Sequence, residues 1–331
     1  MADRGNVLIC GEILTEGLSR ITMELLGIGR RLADQAGRDL QAVLIGSGID
    51  QKPAQECIYF GANSVHVIDE PLFQDYLTDS YVAALERLVR LLNPDIMLFG
   101  HTSLGRDAAP RLAYRLDTGV TLDCIHLTID EETGLMRQTK PVYGGNAYAI
   151  YVCRTRPQIA SIRPKAMSPQ ERDEHRKGKI VPFVTGVRAE EIRGRLLKRM
   201  DEEVTGIRIE DADVVICGGR GIGGPEGFEQ LEELAGLFKG AVGGTRPPCE
   251  DGLVPEHSQI GLTGKIVSPR LYIGVALSGS SQHIAGIAGS KNIVAVNRDP
   301  EANIFSIAHY GAVGDYRKIL PAFIEKCKGD F

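Results

Sequence analysis

The chain has 331 residues, of which 43% are hydrophobic and 24% charged, and its formal net charge is −5. This length predicts two domains, and the acidic balance argues against a nucleic-acid-binding protein, which is usually basic. No apolar run reaches about 18 residues, so the sequence predicts no membrane span. The seven cysteines form no Cys-x-x-Cys pair, which argues against a disulfide framework or an iron–sulfur site. We expect a cytoplasmic protein with reduced thiols.

The first part of the chain alternates apolar strands with amphipathic helices. A helix is predicted where Ile21, Leu25, Ile28 and Leu32 follow one another at helical spacing. Further helices are predicted at 53–60 and 81–92, and strands at 7–10, 41–46, 64–68 and 95–100. Strands that are apolar throughout and separated by helices are typical of a parallel sheet covered on both faces.

The pattern changes after residue 119. Consecutive strands without helices between them are predicted at 121–129, 135–142, 147–153 and 158–163, and we expect them to extend the first sheet in antiparallel fashion. A charged solvent-exposed loop is then predicted at 168–179. The stretch 188–203 has a helical pattern and is predicted to lead into the second domain.

The second part of the chain is again of α/β type. Strands are predicted at 212–217, 241–243, 271–277 and 293–297, and helices at 227–238, 282–287 and 321–327. We therefore expect two domains, each with a mainly parallel sheet flanked by helices, and a boundary near 190–205.

Three glycine-rich corners follow strands of the second domain, and doubly wound sheets bind ligands outside the carboxyl ends of their strands. The first corner holds Gly219, Gly221 and Gly224 in a formal dinucleotide fingerprint. A nicotinamide site also needs an acid after the following strand, where 243–246 has none, and Pro225 falls where the helix should begin. A nicotinamide-dependent oxidoreductase that uses this loop is therefore the alternative hypothesis.

Two arginines on these corners carry permanent positive charge. Arg220 on the first corner suits a pyrophosphate, and its alternative role is that of a surface arginine. The second corner carries Thr245 and Arg246, followed by two prolines that stiffen the loop. A fixed cation beside a redox ring favours anionic reduced forms of that ring. The alternative for this corner is a rigid surface turn.

The third corner, 278–283, is rich in serine. We expect its serines to cap the next helix, so that free N–H groups form an anion site suited to pyrophosphate. Gln282 and His283 fall in the first helical turn, where His283 either reaches a polar ring edge or is a structural core residue. Nearby, 259–265 ends in Gly-Lys but lacks the other P-loop residues, which argues against ATP hydrolysis.

Taken together, these segments resemble the alpha subunit of electron-transfer flavoproteins, and the resemblance covers nearly the whole chain. In the first domain it is carried by Leu98-Phe99-Gly100 and by the segment from Gly105 to Ala113. In the second domain the similar segments stand in the family's order: Gly218 to Gly221, Ala241 to Gly243, Gln259 to Val267, Leu271 to Ile273, Ser278-Gly279, Gln282-His283 and Ile293 to Ala302.

The resemblance implies an N-terminal domain at 1–200 that contacts a beta subunit, and a doubly wound FAD-binding domain at 201–331. It implies a redox carrier that takes electrons from acyl-CoA or other flavin dehydrogenases, rather than a stand-alone enzyme with an acid–base pair. A nucleotide-binding regulatory module without redox activity is a further alternative.

The resemblance also implies cofactor contacts residue by residue. Arg220 would lie near the phosphates, Thr245 and Arg246 by the isoalloxazine ring, Thr263 at N5 and His283 near O2. Arg246 would stabilise the reduced flavin. The remaining residues expected to bind FAD are Gln259, Ile260, Gly261, Leu262 and Ser280 in the loops, Ser278, Gly279, Ser281 and Gln282 along the diphosphate and ribityl part, and Asn297 and Asp315 at the adenosine end.

The region around Pro141, Gly144-Gly145, Asn146 and Arg156 to Gln158 resembles that of anaerobe flavoproteins that bifurcate electrons from NADH. In those proteins a second FAD is bound by the beta subunit. The sequence is therefore compatible with a simple carrier and with a bifurcating system, which differ in the number of flavins per heterodimer.

Overall fold

The computed structural model describes residues 5–14, 17–145, 147–198 and 207–330. They belong to two compact units, one of Met1–Val142 with Tyr148–Met200 and one of Tyr143–Ala147 with Asp201–Phe331. The boundary expected after residue 200 lies outside the described residues, and so does Asn146. Each unit contains a parallel sheet with apolar clusters on both faces.

The first unit is built on a parallel sheet of strand order β12-β5-β4-β1-β6-β11-β7. Helices α1 and α2 cover one face of the sheet, and α3 and α4 cover the other. The elements are β1 (Val7–Gly11), β2 (Ile13–Leu14), β3 (Gly17–Leu18), α1 (Arg20–Ala36), β4 (Leu40–Gly46), α2 (Gln51–Tyr59), β5 (Ser64–Asp69), α3 (Thr78–Leu92), β6 (Ile96–Gly100), α4 (Ser103–Arg115), β7 (Val120–Cys124), β8 (His126–Ile129), β9 (Met136–Val142), β10 (Ala147–Val152), β11 (Gln158–Ile162) and β12 (Lys179–Pro182).

Local sequence signals explain where the longest of these helices begins and ends. Ser19 caps α1 through its side chain, which accepts a hydrogen bond from the N–H of Thr22. Gly37 follows α1 in the left-handed conformation, which glycine adopts without strain. Between them, Leu25, Ile28 and Leu32 are buried against the sheet, as their spacing predicts.

The expected antiparallel extension of the first sheet is wrong. β7 and β11 join that sheet as parallel strands, whereas β8, β9 and β10 form a separate three-stranded sheet in which β8 and β9 are antiparallel. Burial explains the difference, because all five residues of β11 are buried, as a strand inside a covered parallel sheet requires. β10 is largely exposed and does not fit such a position.

Two further expectations for this region need correction. The charged segment 168–179 is mostly exposed, as expected, but it leads into β12, an exposed edge strand that the sequence pattern does not predict. The helix expected at 188–203 is wrong in its described part, 188–198, which holds a 3-10 turn at Ala189–Glu191. This stretch lacks an apolar stripe that could be buried against a neighbour, so propensity alone does not make a helix there.

The second unit contains a five-stranded parallel sheet of order β14-β13-β15-β16-β17. Helices α5 and α8 pack on one face of this sheet and α7 on the other. The elements are β13 (Val214–Gly218), α5 (Pro225–Leu237), β14 (Ala241–Gly244), α6 (Arg246–Glu250), β15 (Leu271–Val275), α7 (Ser281–Ile287), β16 (Asn292–Asn297), β17 (Tyr310–Val313) and α8 (Tyr316–Asp330).

This strand order makes the second unit a doubly wound α/β fold. The chain leaves β13 in one direction to form β14 and returns to the other side of β13 to form β15, so the order reverses between β13 and β15. The predicted fold class is confirmed. Over the described residues, the helices are too short or too polar to cross a membrane.

Candidate functional site

The point where the strand order reverses is closed by backbone contacts between two loops. The N–H of Gly219 donates to the carbonyl of Val275 at 2.9 Å, and the N–H of Gly221 donates to that of Ala276 at 3.1 Å. A Cβ atom on Gly219 would lie 2.4 Å from the Ala276 oxygen and from Cα of Leu277. Glycine is therefore required at 219 by contact with the loop after β15.

The first corner differs from a dinucleotide fingerprint in its local structure. A 3-10 turn, Arg220–Ile222, separates β13 from α5, so the strand does not run directly into the helix. α5 begins at Pro225, and proline is favoured at the first helical position because the missing N–H has no partner there. The proline is thus compatible with the helix and does not by itself argue against a dinucleotide at this corner. The side chain of Arg220 is exposed.

The second corner begins where β14 ends. The N–H of Thr245 donates to the carbonyl of Gly218 at 3.0 Å, which joins this corner to the first one. The two prolines expected to stiffen the loop lie inside α6, which begins at Arg246. Nε of Arg246 lies 2.7 Å from Oε1 of Glu250, and both side chains are more than half exposed. Arg246 thus lies at the same edge of the sheet as Arg220, with a carboxylate partner one turn along the helix.

The loop that begins at Gln259 folds against the second and third corners. The N–H of Ile260 donates to the carbonyl of Gly244 at 2.9 Å, and the N–H of Leu262 donates to that of Gln282 at 3.0 Å. Nε2 of Gln259 donates to Oγ1 of Thr263 at 3.0 Å. The side chain of Leu262 is exposed. These contacts bring the loop beside 245–246 and 282–283, as the resemblance implies.

The third corner is shaped by contacts with the loop after β16. Gly279 has a φ of 79°, and a Cβ there would lie 2.4 Å from the backbone nitrogen of Ile304. The carbonyl of Ser278 accepts from the N–H of Ile304 at 3.0 Å, and that of Gly279 accepts from Nδ2 of Asn303 at 2.8 Å. Ser280 precedes α7, but within the described residues its side chain makes no cap hydrogen bond, contrary to expectation.

His283 lies inside the second unit. Its Nε2 is 2.7 Å from the hydroxyl oxygen of Tyr272, and its Nδ1 is 3.1 Å from the carbonyl oxygen of Ile260. Burial lowers the pKa of the imidazole, which favours its neutral form. Both ring nitrogens are thus engaged with the protein, and His283 is a core residue as well as a residue of the third corner.

Asn297 and Asp315 have structural roles at the ends of β16 and β17. Nδ2 of Asn297 donates to the carbonyl of Leu277 at 2.7 Å, and its Oδ1 accepts from the N–H of Asp299 at 3.0 Å. Oδ1 of Asp315 accepts from the N–H of Arg317 at 3.0 Å, at the start of α8. Their expected contacts with adenosine stay predictions.

All the residues expected to bind FAD lie at one edge of the second sheet, at or beyond the carboxyl ends of its strands or in the loop joined to Gly244. Sequence reasoning missed Tyr272, which appears there as one more apolar strand residue, and Glu250, whose position four residues after Arg246 is the signal for a helical ion pair.

The residues at this edge suit an elongated, doubly charged dinucleotide such as FAD. The guanidinium groups of Arg220 and Arg246 suit a pyrophosphate and an anionic ring, and hydroxyl groups of Thr245, Thr263 and Ser278 supply neutral hydrogen bonds. The tight backbone contacts of Gly219 and Gly279 hold the loops that carry these side chains.

Comparison with known proteins identifies the family of both parts of the chain. Residues 8–184 match the family model described as the electron transfer flavoprotein domain, and residues 208–288 match the electron transfer flavoprotein FAD-binding domain. The second match confirms FAD as the expected cofactor.

Curated relatives cover nearly the full length. The chain is 42% identical over 329 residues to the electron transfer flavoprotein subunit alpha of Thermoanaerobacterium thermosaccharolyticum, with 99% of both chains covered. It is 38% identical to the subunit of that name from Bacillus subtilis, with 97% of both covered. It is also 38% identical to protein FixB of Azorhizobium caulinodans, with 92% of this chain and 84% of FixB covered. The chain therefore belongs to the electron-transfer flavoprotein alpha-subunit family.

Proposed function

We propose that this chain is the FAD-carrying subunit of a cytoplasmic heterodimer that takes electrons from a flavin dehydrogenase, such as an acyl-CoA dehydrogenase, and passes them to an acceptor. One observation carries the proposal. Arg220 and Arg246, two exposed cations, and the hydroxyl-bearing corners lie at the edge where the doubly wound sheet reverses its strand order.

FAD, when bound, supplies a ring that accepts and releases electrons. Arg220 would hold the diphosphate by charge and hydrogen bonds, and Thr263 would offer its hydroxyl to the ring. Arg246 would place a permanent cation by the ring, where it favours the more negative reduced form. Glu250 offsets part of that charge, because its carboxylate lies 2.7 Å from the guanidinium. Electron transfer of this kind needs no general base from the protein.

The experiment is purification of the chain together with its beta subunit, followed by a visible spectrum and quantification of the released flavin. We expect a yellow protein with stoichiometric FAD. Arg220→Ala should weaken FAD binding by about tenfold or more, because it removes a charge-assisted hydrogen bond. Arg195→Ala, at an exposed position of the first unit, removes the same charge as a control. A colourless preparation that takes up no added FAD contradicts the proposal, and tight NAD binding instead would favour the nicotinamide alternative.

We further propose that the exposed face of β10 contacts the beta subunit. Tyr148, Ile150 and Val152 alternate along this strand and point to one side, and Tyr148 is 66% exposed. β10 lies at the edge of its sheet. Large apolar side chains at an unprotected edge strand are typical of protein–protein contacts. A family whose members are named as subunits offers the beta subunit as the occupant.

Copurification with a tagged beta subunit tests this interface. Tyr148→Asp and Ile150→Asp should reduce recovery of the complex about tenfold or more, because each places a charge in an apolar contact. Tyr114→Asp is the matched control, since Tyr114 is 87% exposed and belongs to α4 rather than to β10. Equal recovery of all three variants would show that β10 is not the contact surface.

A bifurcating system is the second candidate, based on the resemblance of the region at 141–158 to that of anaerobe flavoproteins. Counting flavins in the purified heterodimer distinguishes a simple carrier from a bifurcating system. One FAD with one AMP indicates a simple carrier, and two FAD indicate bifurcation.

A further inference from the structure

A cavity of about 580 Å³ lies in the first unit at the amino ends of β4, β5 and β12. Its lining includes Asp39 and Gln41 on one side, Ser64 and His66 in the middle, and Lys177 and Lys179 on the other. In doubly wound α/β folds, ligands usually bind at the edge of the sheet formed by the carboxyl ends of its strands. The cavity is at the opposite edge, and its lining residues all belong to the first unit.

Register explains how these residues come to share one face of the sheet. Gln41 is aligned with Ser64 and Ser64 with Lys179, and His66 follows two positions later along β5. Side chains two apart in a strand point to the same face. The strands of a covered parallel sheet are usually apolar on both faces, so this polar corner departs from the rest of the sheet.

Two polar atoms in the lining residues lack a hydrogen-bond partner among the residues that the structure describes. Nε2 of His66 and Oε1 of Gln41 are shielded from solvent and have no partner within the described part of the chain, and His66 as a whole is 7% exposed. Buried polar atoms in native proteins are nearly always paired, and each exception calls for an explanation. Burial lowers the pKa of His66, so a neutral imidazole is available for hydrogen bonding.

The charge of the rim is net positive. Lys177 and Lys179 are exposed, and among the described residues neither takes part in an ion pair, while Asp39 is the carboxylate of the lining. The N–H of Lys179 donates to the carbonyl of Asn63 at 3.0 Å, which fixes the lysine segment against β5. Two ammonium groups on an anchored segment suit an anionic group.

We propose that this cavity binds a small organic anion, a phosphate or carboxylate that also carries a hydroxyl group. Lys177 and Lys179 hold the anionic group at the rim. Rotation of the Gln41 and His66 side chains on binding lets the hydroxyl donate to Oε1 of Gln41 and lets an oxygen or nitrogen of the ligand pair with Nε2 of His66. The volume lies within the range of small-molecule sites.

Isothermal titration calorimetry on the purified protein tests the proposal with four probes. Glycerol 1-phosphate and lactate carry both an anionic group and a hydroxyl, whereas inorganic phosphate lacks the carbon-borne hydroxyl and glycerol lacks the charge. We expect saturable binding of glycerol 1-phosphate or lactate that is about tenfold or more tighter than that of inorganic phosphate and glycerol. Whichever of the two binds identifies the anionic group as phosphate or carboxylate.

Variants separate this site from general anion binding. Lys177→Ala and Lys179→Ala should each weaken binding about tenfold, whereas Lys52→Ala, an exposed lysine on α2 outside the lining, should leave it unchanged. Gln41→Leu should remove the preference for the hydroxylated probe. Thermal unfolding confirms that each variant is folded. No saturable binding of either hydroxylated anion, or equal binding by the three lysine variants, overturns the proposal, and FAD content is measured separately.

Discussion

The hydroxyl of Tyr272 donates a hydrogen bond to Nε2 of His283, over 2.7 Å and in a fully buried setting. The direction follows from the other ring nitrogen. Nδ1 lies 3.1 Å from the carbonyl oxygen of Ile260, which can only accept, so Nδ1 carries the proton of a neutral imidazole. The carbonyl of Ile260 thereby selects one tautomer of His283, and the hydrogen bond from Tyr272 links β15 through His283 to the loop beside the candidate flavin site.

Replacing Tyr272 by Phe tests this relationship. The change removes only the hydroxyl and leaves Nε2 of His283 buried without a donor, which should lower the free energy of unfolding of the second unit by about 1–3 kcal/mol. Urea unfolding measures this value. Tyr310→Phe is the matched control, because Tyr310 is exposed on β17 and should change the free energy of unfolding by less than about 0.5 kcal/mol. Equal unfolding curves for the two variants would show that the hydroxyl of Tyr272 does not contribute to the free energy of unfolding.

Strands buried on both faces could be predicted from the sequence, because each is a continuous apolar run. β1 and β6 are examples, since all their residues are buried. β17 was missed because its residues are mostly exposed and give no apolar run. The partner of β11 could not be predicted either, because pairing depends on tertiary packing of strands distant in sequence.

In the candidate site too, local features could be predicted from the sequence, whereas contacts between separate elements could not. The corner containing Arg246 was predictable because glycine, threonine and arginine follow a strand. Arg246 pairs with Glu250 because both lie in α6, which starts at Arg246. The sequence did not predict this helix, because two successive prolines indicated a stiff loop. The contact of His283 with Tyr272 joins a strand to a helix across a loop, and no local pattern encodes it.

Arg246→Gln should lower the reduction potential of the bound flavin, because the reduced form loses a nearby cation. A loss of about 1–2 kcal/mol of electrostatic stabilisation corresponds to roughly 40–90 mV for a one-electron step. Glu250→Gln should raise the potential by a smaller amount, because it frees the guanidinium from its carboxylate partner. Spectroelectrochemical titration of the purified heterodimer measures both. Shifts of the same sign in the two variants would contradict the proposed role of the charge.

Gly219→Ser and Gly224→Ser form a matched pair on the first corner. At Gly219 a new Cβ would lie 2.4 Å from the backbone of the loop after β15. At Gly224 it would meet no described residue within 4 Å, and serine suits the position before a helix. We expect Gly219→Ser to lower the free energy of unfolding by about 2 kcal/mol or more and to weaken FAD binding. Gly224→Ser should leave the free energy of unfolding within about 0.5 kcal/mol of the parent chain. Denaturant unfolding and FAD titration provide the two readouts, and equal losses in both variants would show that the loop contact is unimportant.

His101 makes the free energy of unfolding depend on pH. Burial lowers the pKa of this imidazole to about 4, while its Nδ1 lies 2.9 Å from Oγ of Ser161. Below the ordinary histidine pKa of about 6.5, the unfolded chain binds a proton that the folded chain does not. The free energy of unfolding should therefore fall as the pH falls from 6.5 towards 4, by at most about 1.4 kcal/mol per pH unit from this residue.

His101→Gln removes this titration and should reduce the difference in the free energy of unfolding between pH 7 and pH 5, as measured by urea unfolding. His175→Gln, at an exposed position, should leave the difference unchanged. Glu12 and Glu24 act in the opposite sense, because burial raises their pKa and favours the protonated folded form at low pH. The comparison of the two histidine variants cancels that contribution. If they show the same dependence on pH, His101 is not held neutral by the fold.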